Sequence, residues 1–381
     1  MNIDYSKRNF GLDVLRATAS LFVLFGHTLW IGDNYPNFLE TIFRITPTIG
    51  VEIFFVLSGF LIGMLVLKEI EKPSFSFKNI KKFLIRRWFR TLPNYYLVLS
   101  INILVWYVIF NKIPEKLYQY FFFIQNVSER TNSYFYRISW TLSVEQFSYL
   151  LGPLLLYFLI LIAPAKKRSQ LFLWVTLLII LIFNLSRLYF YLNETLTDLE
   201  DWNETIRKVL IYRLDAIYYG FLLYYLYKKY KNQIAKYSLG LFWVGLSLLL
   251  FLYIFRGFFG LTIETVQGFM ILLFLPINSI GLCLLFPQLL KLKTTSNSIR
   301  KTITTLSIIS YPVYLLHYTV ILQCLKVIFP SESLVGFQLW AYTFLYWGIT
   351  FLLSYLLYRF FEKPATNLRD NPRIKRFLKI D

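Results

Sequence analysis

About ten stretches of roughly 20 predominantly apolar residues recur along the 381-residue chain, each the length a helix needs to cross the hydrocarbon core of a bilayer. Lipid offers a backbone no hydrogen-bond partners, so only helices and closed barrels can span it. The runs do not alternate as barrel strands do, which leaves a helical bundle. Composition agrees, with 57% hydrophobic, 20% aromatic and 16% charged residues, where an ordinary soluble domain has about 25% charged. The expected fold is an all-α integral membrane protein of about ten spans, drawn at 10–31, 48–68, 88–111, 140–163, 171–191, 207–227, 238–256, 266–290, 304–328 and 336–360. One transmembrane domain is expected over 1–365, followed by a short basic tail over 366–381. No internal repeat interrupts this pattern.

A formal charge of +19 raises the question of nucleic acid, and the location of the charge answers it. The alternate loops KEIEKPSFSFKNIKKFLIRR, AKKRSQ, YKKYKNQIAK and KLKTTSNSIRK, with the two termini, collect about 28 of the 40 Lys and Arg residues. The loop at 192–206 is acidic instead. This asymmetry is the positive-inside pattern, so both termini are expected in the cytoplasm, and the protein is expected in the cell membrane as a multi-pass protein with lipid around it and no nucleic-acid partner. Lys7 and Arg8 before the first apolar run resemble a signal peptide. That run holds Asp13, Arg16 and His27 and lacks a small-residue cleavage site, so it reads as a retained helix. Cys283 and Cys324 lie in apolar runs, and the two histidines make no HExxH spacing, so neither a disulfide framework nor a metal is expected.

A charged side chain deep in a bilayer costs several kcal/mol, which makes each one within a span a functional hypothesis. Arg16 and His27 are 11 residues apart, within about 20° of three full turns, so they share one helix face at a separation of roughly 16 Å. Asp13 lies one turn from Arg16 and can pair with it. Glu52 in the second span and Glu145 in the fourth are expected at about the depth of His27. A carboxylate beside an imidazole orients it and raises its basicity. The sixth span carries Arg213 and Asp215, which also read as a structural pair. The ninth carries Tyr311, Tyr314 and His317. In RRWFRTLP, Arg86, Arg87 and Arg90 form a basic cluster; the last two share a face suited to phosphate, though the same cluster could be an ordinary membrane anchor.

Taken in order, these motifs resemble the acyltransferase family three of membrane proteins. LDVLRATASLFVLFGH matches its opening Arg and His, and GVEIFFVLSGFLIG its second helix, with Glu52 where Asp is usual. RRWFRTLP, WTLSVEQF, YRLDAIYYG, SYPVYLLH and the closing FEKP are similar to its later landmarks, and the set runs over about residues 9 to 365. The resemblance implies transfer of an acyl group, commonly acetyl, from cytoplasmic acyl-CoA to hydroxyls of cell-surface or lipid-linked carbohydrate, with Arg16 and His27 needed for activity. It also implies that the esterase-like domain of some members is absent here, which leaves room for an extracytoplasmic partner.

The expected mechanism places the phosphates of acetyl-CoA on Arg86, Arg87 and Arg90. His27, held by Glu145 or Glu52, acts as general base on the acceptor, and Glu145 is the favoured partner. Arg16, Tyr311 or Tyr314 would stabilise the oxyanion. An acyl group parked on His27 itself remains open. The competing class is a proton-coupled transporter or flippase of an anionic or glycan substrate, in which the same buried charges would relay protons.

Overall fold

The computed structural model describes residues 5, 8–32, 34–129, 135–162, 167–256, 259–294 and 296–378. Lys7 and the end of the basic tail, 379–381, lie outside the described residues. Ten helices carry the architecture: α1 (Phe10–Gly26), α2 (Asn37–Ile70), α3 (Phe77–Phe110), α4 (Trp140–Ile160), α5 (Arg168–Asn193), α6 (Asp215–Lys229), α7 (Lys231–Leu250), α8 (Phe274–Leu289), α9 (Asn297–Leu316) and α10 (Gly336–Leu357). Among the described residues, nine helices are long and apolar enough to cross a membrane.

The exception is α6. The expected span over 207–227 is instead a helix of 15 residues, preceded by a short 3-10 turn at Leu210–Tyr212. Non-helical backbone survives at depth only when protein satisfies its polar groups. Here Leu210 N donates to Asn126 O (2.7 Å), Ser186 Oγ to Ile211 O (2.5 Å) and Arg187 Nη1 to Tyr212 O (2.5 Å). Asn126, which matches a glycosylation triplet, is fully buried and also donates to Lys208 O.

Helix ends follow the local chemistry. Asn9 caps α1 by accepting from Leu12 N, Asn79 Oδ1 accepts from Ser76 N at the start of α3, and Ser296 caps α9. Two helices outrun the expected spans. Both α2 and α3 have 34 residues, roughly 51 Å, so they project past a core about 30 Å thick. The basic RRWFRTLP stretch is therefore well inside α3 rather than at its end. Beyond its last α-helical turn α9 continues through a π turn at His317–Leu322, and α10 continues through another at Tyr358–Glu362.

Close packing sets the centre of the bundle, where α2 lies against α1 and α6, and α9 against α1. Gly59 of α2 faces Gly220 of α6. A Cβ on Gly220 would come within 2.3 Å of Val56 O, and one on Gly59 within 1.9 Å of Ile217 O. No side chain fits between these backbones. Gly220→Ala is expected to push the helices apart and cost about 1–3 kcal/mol of stability, the usual penalty of overpacking. A thermal unfolding midpoint in detergent equal to that of the native protein would contradict this contact.

Candidate active site

Asp13, Arg16 and His27 stand on α1 and its short extension. Asp13 does not mainly pair with Arg16, which stays 4.0 Å away. Its close partner is Arg8, and it also accepts from Ser307 Oγ (2.7 Å) and Thr304 Oγ1 (3.3 Å) of α9. Arg8 reaches the carboxylate with two nitrogens, a bidentate fit that a residue one turn along the same helix cannot match. Arg16 is left with a weak contact to Ser307 Oγ (3.4 Å) and turns its charge into a cleft of about 100 Å³.

Arg87 and Arg90 of α3, Glu145 and Tyr149 of α4 and Tyr311 of α9 line the same cleft. Arg90 is exposed at the rim, while Arg87 is half-buried, its guanidinium 5.9 Å from the Tyr149 ring. Arg86 is exposed and is not among the lining residues, because it lies one position round the helix from Arg87. The three lining guanidinium groups face a single lining carboxylate, a cationic excess that suits an anionic ligand. Glu145 accepts from Ser58 Oγ of α2 at 2.8 Å.

At its other end the cleft meets Thr141 and Tyr314. Their hydroxyls are 2.7 Å apart, and Tyr314 also donates to Ile138 O (3.0 Å). The Tyr311 hydroxyl donates to Thr91 O at 2.9 Å. The two histidines are not among the lining residues, but the His317 ring lies 5.9 Å from that of Tyr314. His27 Nδ1 lies 2.8 Å from Val23 O and 3.2 Å from His317 Nε2. Neither Glu145 nor Glu52 makes a contact with His27 among the described residues, so the expected carboxylate partner is replaced by an imidazole.

Glu52 has gone elsewhere for a physical reason. Arg213 lies in the turn before α6 and Asp215 on its first residue, and each is already bonded to a partner on another helix, so the two do not pair with each other. Arg213 donates to Glu52 (2.5 Å), with both side chains fully buried. Asp215 accepts two bonds from Arg187 of α5, at 2.7 and 3.1 Å, again fully buried. Arg187 escaped the reading of the sequence, although a charge within the run LLIILIFNLSRLYF carried the same signal as Arg213. Glu362 of the FEKP motif is a second omission, accepting from Asn94 Nδ2 of α3 at 2.7 Å. Among the described residues no group of three His, Cys, Asp or Glu could hold a metal ion.

Nine helices long and apolar enough to cross a membrane among the described residues, five of them lining a cationic cleft, define a polytopic membrane protein. Residues 9–359 match the model of the acyltransferase domain family, and the chain belongs to that family. Proteins of Staphylococcus aureus strains COL, MSSA476 and MRSA252, each named as a candidate O-acetyltransferase, are 25% identical to it over 94% of its length. The chain spans 58% of the length of these relatives. No solved structure matches it.

Removing one member of a buried ion pair leaves an uncompensated charge, which costs about 3–5 kcal/mol. Glu52→Gln is therefore expected to destabilise the protein by that amount, and Glu52→Gln with Arg213→Gln by clearly less. Equal losses for the single and double variants, measured by thermal unfolding in one detergent, would show that the pair is not coupled.

Proposed function

We propose that the chain is a membrane-embedded O-acyltransferase that moves an acyl group, acetyl by the names of its relatives, from acyl-CoA to a hydroxyl of a surface or lipid-linked carbohydrate. One observation carries this reading. Arg16, Arg87 and Arg90 converge on one cleft whose lining holds a single carboxylate, Glu145, in a chain of an acyltransferase family. Coenzyme A is a polyanion on a thin arm, and guanidinium groups in series match it.

Arg90 at the rim and Arg87 behind it hold the phosphates on the side of the basic loops, which the positive-inside pattern makes the cytoplasm of a cell-membrane protein. The arm runs past Arg16 towards Thr141 and Tyr314. When that hydroxyl pair parts, the thioester meets His27. His27 takes the proton of the acceptor hydroxyl as its oxygen bonds to the acyl carbon. The carbon–sulfur bond then breaks, and the proton passes to the departing thiolate. Holding the two reactants in register supplies much of the acceleration. In this reading the acceptor approaches from the side of Trp30, which is half-exposed and on the same short turn as His27.

His27→Ala is expected to fold and to lose transfer of labelled acetyl from acetyl-CoA by about 10²-fold or more. Near-normal transfer would exclude His27 as the base. Arg87→Ala and Arg90→Ala each remove a charged hydrogen-bonding group, and the apparent KM for the donor is expected to rise by about tenfold or more with kcat less affected. An unchanged KM would return both residues to membrane anchoring. Release of free thiol from acetyl-CoA by purified protein separates this enzyme from a transporter.

A further inference from the structure

The chain has two histidines, and they meet although 290 residues separate them. His317 is fully buried on α9, at the first position of its π turn. Its Nδ1 lies 3.0 Å from Val313 O and 2.8 Å from Tyr314 O. Carbonyl oxygens only accept, so this nitrogen carries a proton. Insertion of the ring among its own helix carbonyls coincides with the widened turn that begins there, as side-chain intrusion into a helical ladder commonly does.

His27 obeys the same logic. Its Nδ1 faces Val23 O at 2.8 Å, which again requires a proton on that nitrogen. That N–H is shared with His317 Nε2 at 3.2 Å, so Nε2 of His317 offers its lone pair and His317 is neutral. The opposite assignment sets the lone pair of His27 Nδ1 against the lone pairs of Val23 O, which is repulsive. Both rings are thereby fixed with the proton on Nδ1.

We infer that His317 is a positioning residue that, together with Val23 O, holds the His27 ring in place as the Nδ1–H tautomer, leaving His27 Nε2 as the basic nitrogen that meets the acceptor hydroxyl. This rests on the reading of His27 as general base. When His27 takes the acceptor proton on Nε2, its Nδ1–H still points at the His317 lone pair, which steadies the imidazolium. His317 passes nothing on, because its own proton is committed to two carbonyls. A neutral imidazole performs the orienting task usually given to a carboxylate, without burying a second charge in a poorly solvated site.

The chain's two histidines make the test direct. Full-length protein without a histidine tag, labelled with 15N-histidine and held in lipid nanodiscs, gives two imidazole environments. His317→Gln assigns them by removing one. Both rings are expected as neutral Nδ1–H tautomers, and a neutral His27 protonated on Nε2 would overturn the inference. In parallel, His317→Leu is expected to lower kcat by about 10²-fold with the donor KM little changed, the scale of a general base whose ring is no longer held in register and whose imidazolium has lost its acceptor. His317→Gln, whose amide oxygen can accept from His27 Nδ1–H, is expected to recover at least tenfold of that loss. Equal activity of the Leu and Gln variants, both folded by unfolding midpoint, would reduce His317 to packing. If the tautomers are as inferred while His27→Ala still transfers acetyl, the catalytic reading fails and the proton placement stands.

Discussion

Charge compensation in a medium that cannot solvate ions governs this bundle. Glu52–Arg213 joins α2 to the segment before α6, and Arg187–Asp215 joins α5 to the first residue of α6. Each partner alone would carry a prohibitive desolvation cost, so the pairs fix where those helices sit. The backbone just before α6 is not α-helical, and Arg187 helps to satisfy it by donating to Tyr212 O. The Gly59–Gly220 contact then lets α2 and α6 close over the pairs.

With those charges settled structurally, the remaining cations stand out. Arg8 neutralises Asp13 and so leaves Arg16 to face the cleft with Arg87 and Arg90. The site is made as much by which acids are already occupied as by which bases are present. Glu145, bonded to a serine hydroxyl rather than to an arginine, is the one carboxylate among the lining residues.

Helical class and the positions of most spans were legible in the sequence, because length and hydropathy are local properties. Partners were not. Glu52 and Glu145 were expected beside His27 from depth alone, yet depth along a helix says nothing of the direction in which a side chain points around it. The sixth span failed for a different reason. Arg207, Arg213 and Asp215 crowd its first nine positions, and tertiary hydrogen bonds offered that backbone a better state than an α-helix. His317 was visible as a costly buried residue, but its meeting with His27 across the whole chain leaves no local trace. Arg187 was readable by the rule applied to Arg213 and was passed over.

The hydrogen bond between Thr141 and Tyr314 has a consequence for the membrane as a whole. Tyr314 lines the charged cleft and its ring also lies against that of His317, which meets His27 close to the half-exposed Trp30. A continuous wet path between the cleft and Trp30 would be a leak, draining the ion gradients on which a cell lives. Thr141 donates to the Tyr314 hydroxyl, which donates in turn to Ile138 O, so neither hydroxyl proton is left to begin a chain of water. Such a contact would keep the bilayer closed to protons at this point.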